Sequence, residues 1–138
     1  MFAIKGIDHI VIRASRLEEL VAFYRDVLGC AVDKRVDRLG LVHLRAGAAM
    51  IDLIDVHGEL GRHGGDAPPA DRHNMDHVCL RIEMFDEAGL RKHFSAHGVA
   101  LDGPHDNYGA EGDGPSFYLD DPEGNTIELK GPSRPATH

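Results

Sequence analysis

The chain has no tryptophan, only two cysteines and few aromatic residues, and no long hydrophobic run. The cysteines, Cys30 and Cys79, form no metal-binding or redox spacing motif, which indicates reduced thiols and a cytoplasmic location. Without an apolar run of about 18 residues, a membrane span is excluded. The formal net charge of -8 argues against a nucleic-acid partner, because phosphates are bound by clustered Lys and Arg. The remaining interpretation is a single domain of 138 residues, which is long enough to bury a core.

The most informative feature that is present is a repeated pattern of an acid, a histidine, three apolar residues and an arginine. It occupies residues 8–13 and again 76–81. Side chains alternate between the two faces of a strand, so His9 shares a face with Arg13, and His77 with Arg81. A duplicated module with a histidine at the same place on the same face predicts two histidines that face one cavity. This arrangement is typical of a metal site.

The same order of predicted elements surrounds both copies of the pattern. In the first half, a strand over 6–13 precedes a helix with Ser15 as N-cap and Gly29 just after its end. In the second half, a strand over 75–82 precedes a helix over 86–97. Further short strands are predicted at 31–34, 41–45, 49–56, 99–101, 115–120 and 125–130. Each half therefore has the order βαβββ, and the predicted fold class is α+β.

The predicted organisation is one domain of two modules, 5–56 and 75–133, followed by a tail over 134–138. Residues 57–74 are rich in Gly, Pro, His and charge and are predicted to be a linker, and residues 103–114 are predicted to form a loop. Neither module has enough strands and cover to bury both faces of its sheet alone. The modules should therefore pair, either within one chain or with those of a second copy.

Two carboxylates occupy matching places in the last strands of the two halves. Asp52 shares a strand face with apolar residues, which is costly unless the acid is paired or bound to a cation. Glu128 alternates with apolar residues in the final strand. With His9 and His77 they form a set of two nitrogens and two oxygens that, completed by water, suits Ni, Co, Fe, Mn or Zn. The simpler alternative is that these are ordinary structural residues of strands.

Longer stretches carry a family resemblance. They are FYRDVLG at 23–29 and DPEGNTIEL at 121–129, together with the segments 7–12 and 75–78 around the two histidines. In these stretches the chain resembles the vicinal oxygen chelate superfamily, which includes glyoxalase I, extradiol dioxygenases, fosfomycin-resistance proteins and methylmalonyl-CoA epimerase. The resemblance implies two βαβββ modules that form a cupped mixed sheet around a divalent metal.

The resemblance also implies roles for particular residues. His9, His77 and Glu128 match three metal ligands of the family, and Asp52 falls where glyoxalase I carries a fourth ligand, a Glu. Because Asp52 is one methylene shorter, direct ligation, ligation through water and no ligation all stay open. Arg13 matches an arginine that holds a glutathione carboxylate in glyoxalase I.

Other residues are expected to line the substrate cavity. Arg13 and Arg81 would suit an anionic substrate through bidentate contacts. Ser116 and Tyr118 are similar to cavity positions of the fosfomycin-resistance proteins, although the polar side chain that those proteins carry two residues after the first histidine is Val11 here. Cys79 is expected to be a small apolar filler, because no base is identifiable beside it.

The sequence leaves three functions open. In a metal-dependent isomerase or lyase of the glyoxalase type, Glu128, with Asp52, would carry a proton between two carbons of a substrate with adjacent oxygens. In an extradiol-type Fe(II) dioxygenase, His9, His77 and Glu128 would form a facial triad and Asp52 would not ligate. A non-catalytic binding or resistance protein is the third, and the intact ligand set argues against it.

The expected partners are a small-molecule substrate, either anionic or a thiol adduct, and a second copy of the chain. The resemblance implies a C2 homodimer, because small relatives with a linker of this length commonly form one. In such a dimer, His9 and Asp52 of one chain would meet His77 and Glu128 of the other. Pairing of the modules within one chain is the alternative.

Overall fold

The computed structural model describes residues 1–135, so the last three residues of the predicted tail over 134–138 lie outside the described residues. The chain divides into two compact units, the first from Met1 to Asp71 and the second beginning at Arg72. Each unit contains a βαβββ module, which confirms the predicted α+β class and the duplication. Within residues 1–135, no helix is both long and apolar enough to cross a membrane.

The first unit contains a four-stranded mixed sheet in the order β1-β4-β3-β2. Its elements are β1 (His9–Ala14), α1 (Leu17–Ala22), a π-helical turn (Phe23–Val27), β2 (Ala31–Val36), a 3-10 turn (Asp37–Leu39), β3 (Leu41–Ala46), β4 (Ala49–Asp55) and a 3-10 turn (Gly61–Gly64). Strand β4 is parallel to β1 and antiparallel to β3. Strand residues Leu44 and Leu53 and helix residues Leu20 and Val21 are buried, so they form the apolar core of this unit.

The second unit repeats the plan with the strand order β5-β8-β7-β6. Its elements are β5 (Val78–Arg81), α2 (Glu87–Ala96), β6 (Asp102–Gly109), β7 (Gly112–Asp120) and β8 (Thr126–Lys130). Asp86 caps α2, because its side chain accepts a hydrogen bond from the Gly89 backbone N–H. The Arg91 guanidinium lies 5.0 Å from the ring centre of Phe117. Phe94 and Phe117 are buried and belong to the core of this unit.

The largest departure from the sequence-based prediction is strand β6. The predicted strand over 99–101 and the predicted loop over 103–114 are both wrong, because β6 and β7 form a hairpin there. Strand β6 is the last in the strand order, and its side chains are mostly exposed. Backbone pairing, such as Asn107 opposite Gly114, holds it in place, so it has no apolar alternation that a sequence pattern could reveal.

The start of the first unit also differs in detail. Strand β1 begins at His9 rather than at residue 6, and Arg16 rather than Ser15 occupies the N-cap position. Arg16 makes no side-chain capping bond and instead forms an ion pair with Glu19 at 2.7 Å in the first turn. Gly29 has a positive φ of 78°, which confirms the predicted end of the helical segment.

The predicted single helix is an α-helix that continues as a π-helical turn. The turn contains two adjacent aromatic residues, Phe23 and Tyr24, and both are buried. Their rings meet edge to face, with centroids 5.5 Å apart. Widening the helix lets two consecutive side chains enter the core, which a regular α-helical period does not favour.

Candidate functional site

In the first unit, the parallel strands β1 and β4 place His9 and Asp52 on one face of the sheet. His9 Nε2 lies 3.9 Å from Asp52 Oδ2, and His9 Nδ1 lies 2.6 Å from Asp8 Oδ1. Asp52 is only 3% exposed. The hydrogen bond to Asp8 is the main cause of a raised pKa of His9; burial acts against it, and the charge of Asp52 adds to it.

A second histidine, which the sequence analysis missed, contacts the same carboxylate. Strand β3 pairs antiparallel with β4 and places His43 directly opposite Asp52. His43 Nδ1 lies 2.9 Å from Asp52 Oδ1. Each oxygen of Asp52 therefore faces an imidazole, and this explains how the acid is accommodated among apolar neighbours. His43 was missed because its position opposite Asp52 depends on the register between β3 and β4, which the pattern of a single strand does not give.

In the second unit, the parallel strands β5 and β8 create a matching pair. His77 Nε2 lies 3.1 Å from Glu128 Oε1, and His77 Nδ1 lies 2.7 Å from Asp76 Oδ2. Glu128 is 5% exposed. Its Oε2 accepts hydrogen bonds from Ser116 Oγ at 2.6 Å and from Asn107 Nδ2 at 3.3 Å. Asn107 was missed because its strand was predicted to be a loop.

The surroundings of Glu128 favour its ionised form. Burial by itself raises the pKa of this carboxyl, but hydrogen bonds from Ser116, Asn107 and Tyr118, together with the charge of His77, bring it below its ordinary value. The Tyr118 hydroxyl also accepts a hydrogen bond from Asn107 Nδ2 at 3.0 Å. Burial, followed by the contact with Glu128, raises the pKa of Tyr118. Of the predicted cavity residues, Ser116 and Tyr118 thus gather around Glu128.

The two predicted substrate arginines are already bound to other groups. Arg13 donates from Nη1 to the Asp66 carbonyl at 3.1 Å and from Nη2 to the Gly61 carbonyl at 3.2 Å and the Gly65 carbonyl. It therefore ties the loop after β4 to the sheet. Arg81 is held by two carboxylates, with Nε bonded to Glu111 and Nη2 3.6 Å from Glu83.

Cys79 lies on the same strand face as His77 and is exposed, so it does not pack as an apolar filler. Desolvation of the thiol, and then the charge and hydrogen bond of Glu128, raise its pKa to about 11, while Lys130 acts in the opposite direction. The raised pKa disfavours the thiolate that a nucleophile needs. Both cysteines are free.

Both histidine–acid pairs have donor chemistry that fits a divalent cation. When Nδ1 donates its proton to the preceding aspartate, the Nε2 of a neutral imidazole is an acceptor that faces the oxygen of a buried carboxylate. Two acceptors 3.1 Å apart, as His77 Nε2 and Glu128 Oε1 would be, need a proton or a metal ion between them, whereas His9 Nε2 and Asp52 Oδ2 are 3.9 Å apart, beyond hydrogen-bond distance. An imidazole oriented by a carboxylate on its other nitrogen is also the usual arrangement of metal-bound histidine.

The structure brings the four predicted ligands together as two separate pairs, His9 with Asp52 and His77 with Glu128. Among residues 1–135, it brings together no group of three or more His, Cys, Asp or Glu side chains that could hold a metal ion. The predicted set of four ligands therefore stays a prediction.

Residues 6–129 match the model of the Glyoxalase/Bleomycin resistance protein/Dioxygenase superfamily, and the chain belongs to this superfamily. The match covers both modules and confirms the resemblance that the sequence motifs indicated. The superfamily name joins enzymes and a resistance protein, so membership by itself does not select one activity.

Individual relatives agree with this assignment. Virulence protein STM3117 of Salmonella typhimurium is 29% identical over 127 residues, which cover 91% of this chain and 83% of that protein. Its crystal structure matches with a TM-score of 0.72 and 26% identity, over 95% of this chain and 99% of that one.

Two further solved structures share the fold at similar identity. An integron cassette protein from the mobile metagenome of V. cholerae matches with a TM-score of 0.72 and 27% identity, over 95% of this chain and 98% of that chain. Lactoylglutathione lyase from Agrobacterium tumefaciens matches with a TM-score of 0.63 and 26% identity, over 92% and 93% of the two chains.

Proposed function

We propose that the chain is a divalent-metal-dependent enzyme of the glyoxalase type, a lyase or isomerase that moves a proton within a small substrate with adjacent oxygens. One observation carries this proposal. In each unit, an aspartate orients a histidine whose Nε2 faces a buried carboxylate. The similarity to lactoylglutathione lyase from Agrobacterium tumefaciens supports the same class of reaction.

In this proposal, His9, Asp52, His77 and Glu128 hold one ion of Ni, Co, Zn, Mn or Fe. The bound ion would polarise two neighbouring oxygens of the substrate and make the adjacent C–H more acidic. Glu128 is the proton carrier, assisted by Asp52, because a carboxylate that its neighbours keep ionised can accept a proton from the C–H that the bound ion acidifies. Ser116 and Asn107 bind Oε2 and leave Oε1 on the side of His77.

Metal analysis tests this proposal directly. Protein purified without chelator should contain about one divalent ion per site, and His77→Ala should lose it as measured by elemental analysis. The metal-loaded protein should exchange a substrate C–H for deuterium when it is given the hemithioacetal of methylglyoxal. Full metal occupancy in the His77→Ala variant would refute the ligand assignment.

A dioxygenase is the second candidate, and one observation favours it. Asp52 Oδ1 is bonded to His43 at 2.9 Å, whereas Asp52 Oδ2 lies 3.9 Å from His9 Nε2. The contact with His43 is consistent with an Asp52 that does not bind the metal. The remaining ligands, His9, His77 and Glu128, form a triad of two histidines and one carboxylate that suits Fe(II). Iron in the purified protein, together with oxygen consumption when catechol is added, would select this function.

We further propose that the chain acts in the cytoplasm as a C2 homodimer in which each metal site combines residues from both copies. Strand β1 is at one end of its sheet order. Beside it, Phe2, Ile4 and Ile7 are 84%, 87% and 76% exposed, and Val11 on the strand is 50% exposed. Apolar side chains next to an outer strand favour a protein partner.

A mixing experiment tests shared sites. His9→Ala and Glu128→Ala proteins each lack a ligand, so neither homodimer should hold metal with full affinity. In a mixed dimer with shared sites, one site would combine the intact His9 of one copy with the intact Glu128 of the other. Metal binding should therefore return after mixing. If mixing restores none, or the chain is a monomer by light scattering, the shared-site proposal is wrong.

A further inference from the structure

Lys130 is a buried cation that the proposed chemistry does not use. It is the last residue of β8, two positions after Glu128 and on the same face of the sheet. It is only 4% exposed. In the register of the sheet it lies between Arg81 on β5 and Ser116 on β7. A lysine at such a position is unusual, because burying an ammonium group without a counter-charge is costly.

The ammonium group of Lys130 has spare hydrogen-bonding capacity. Nζ donates to Ser133 Oγ at 2.9 Å, and within residues 1–135 no carboxylate forms an ion pair with it. An ammonium group has three N–H donors, so two have no protein acceptor in this part of the chain. The nearby Asp106 carboxylate is bound by both terminal nitrogens of Arg134.

Two glycines make room for this side chain. A Cβ at Gly109 would lie 3.1 Å from both Cδ and Cε of Lys130, and a Cβ at Gly114 would lie 3.1 Å from Nζ. At Gly114 the Cβ would meet the Pro132 carbonyl oxygen first, at 2.9 Å. The lysine side chain therefore packs closely against the β6–β7 hairpin at both glycines, and a Cβ at Gly109 would shift it by a few tenths of an ångström.

Lys130 lines a cavity that also reaches the metal-binding pair. The cavity has a volume of about 350 Å³, and its walls include His77, Glu128, Arg81 and Lys130. This size suits a small molecule. Along β8, the Cα atoms of Glu128 and Lys130 are about 6.6 Å apart, since a strand rises about 3.3 Å per residue. The cavity is therefore bordered both by the proposed metal-binding pair and by the Lys130 side chain, whose Cα positions lie within the span of a small substrate.

Arg81, the arginine that the sequence singled out, is a poor candidate for an anion-binding group in this cavity. Its guanidinium is already bonded to Glu111, to the Ile82 carbonyl and, more weakly, to Glu83. Two carboxylates neutralise its charge. Lys130 therefore supplies the available positive charge in this cavity.

We propose that Lys130 binds an oxyanion group of the substrate, a carboxylate or phosphonate, and that the substrate is thus a small acid. The proposal rests on the proposed small-molecule site in the same cavity. It names a residue that sets specificity rather than one that performs the proton transfer. Arg81 has the separate role of holding Glu111 and Glu83.

The wild-type protein offers a direct readout, because the chain has just four lysines, at positions 5, 34, 92 and 130. Full-length protein labelled with ¹³C-lysine and freed of metal would be titrated with methylphosphonate and, separately, with propionate. The Cε signal of Lys130 should move and saturate, and the other three should not. An unmoved Lys130 signal with both probes would overturn the proposal without any variant.

Variants then distinguish the contributions of Lys130 and Arg81 to anion binding. Lys130→Met keeps an unbranched chain against the two glycines and removes the charge, and it should weaken methylphosphonate binding about 10- to 100-fold, as the loss of a charge-assisted hydrogen bond does. Lys130→Arg should restore part of the affinity. Arg81→Gln and the exposed control Lys92→Met should bind nearly as the wild type does. Unchanged affinity in Lys130→Met, or loss in Arg81→Gln alone, would overturn the proposal.

The result can be distinguished from a failure of the proposed function. Metal content does not enter the titration, so Lys130-dependent anion binding by a protein that never holds metal would keep this proposal and refute the metal-dependent chemistry. Conversely, Lys130→Met should retain the metal content of the wild type, since Lys130 is not among the proposed ligands.

Discussion

The two units place a carboxylate beside a histidine at equivalent positions but surround it differently. In the first unit, Asp52 is bonded to another histidine, His43. In the second, Glu128 is bonded to the neutral groups of Ser116 and Asn107. Glu128 is therefore held by neutral hydroxyl and amide donors in addition to His77, whereas Asp52 is held between the two imidazoles of His9 and His43. Repetition of the fold does not make the two acids chemically equivalent.

The largest expected effect tests what the two halves share. Asp8→Ala and Asp76→Ala each remove the acid that orients a histidine, and each should weaken metal binding about 10- to 100-fold. Chelator competition would measure the affinity, with the exposed Asp33→Ala as control. Comparable losses in both variants would support one site to which both histidines contribute. An unchanged affinity in either variant would show that the aspartate does not support a metal-binding histidine in that unit.

A smaller effect tests how the surroundings of the two carboxylates, Asp52 and Glu128, differ. Ser116→Ala removes a hydrogen bond to buried Glu128 and should lower the free energy of unfolding of the metal-free protein by about 1–3 kcal/mol. Because the pKa of folded Glu128 is below its ordinary value, the stability it contributes is present above the ordinary pKa and lost as pH falls through the folded pKa. The gap between variant and wild type should therefore be full at neutral pH and shrink in acid.

Urea unfolding at several pH values measures this gap, and the exposed Ser95→Ala in α2 is the matched control. A gap that stays constant into acid would mean that the serine acts through packing and not through the Glu128 carboxylate.

The smallest effect concerns Arg13, which binds backbone carbonyls of the loop after β4, whereas its repeat counterpart Arg81 binds the carboxylates of Glu111 and Glu83. Arg13→Gln should release the segment that its guanidinium holds, raising amide hydrogen exchange over 58–66 while changing the overall free energy of unfolding by about 1 kcal/mol or less. Arg45→Gln is the exposed control. Exchange that is unchanged over 58–66 would show that the loop is held by its own backbone contacts.

Much of the fold could be predicted because the module occurs twice. The faces of His9 and His77 follow from strand alternation, and Gly29 follows from helix-ending chemistry. Strand β6 could not be found, since an outer strand held by backbone hydrogen bonds needs no apolar pattern.

The site was predictable only where one strand determines it. Asp52 and Glu128 stand out as acids within apolar strands. His43 depends on the register between β3 and β4, and Asn107 depends on the hairpin. Register is set by turns and by packing across strands, which one chain segment does not encode.

The loop that Arg13 holds has a consequence for mutational tolerance. Its composition is that of a spacer, yet a Cβ at Gly61 would lie 1.9 Å from the Asp55 carbonyl oxygen, and one at Gly64 would lie 2.6 Å from Arg13 Nε. Gly65, by contrast, has no atom within 4 Å of that position, and only its positive φ of 77° limits replacement. A library that randomises this segment should therefore return glycine at 61 among folded clones, because a Cβ there meets backbone atoms. Other residues should be accepted at 64, where the contact is with the movable end of Arg13, and asparagine should be accepted at 65. Three glycines that look alike in composition would thus behave differently under selection.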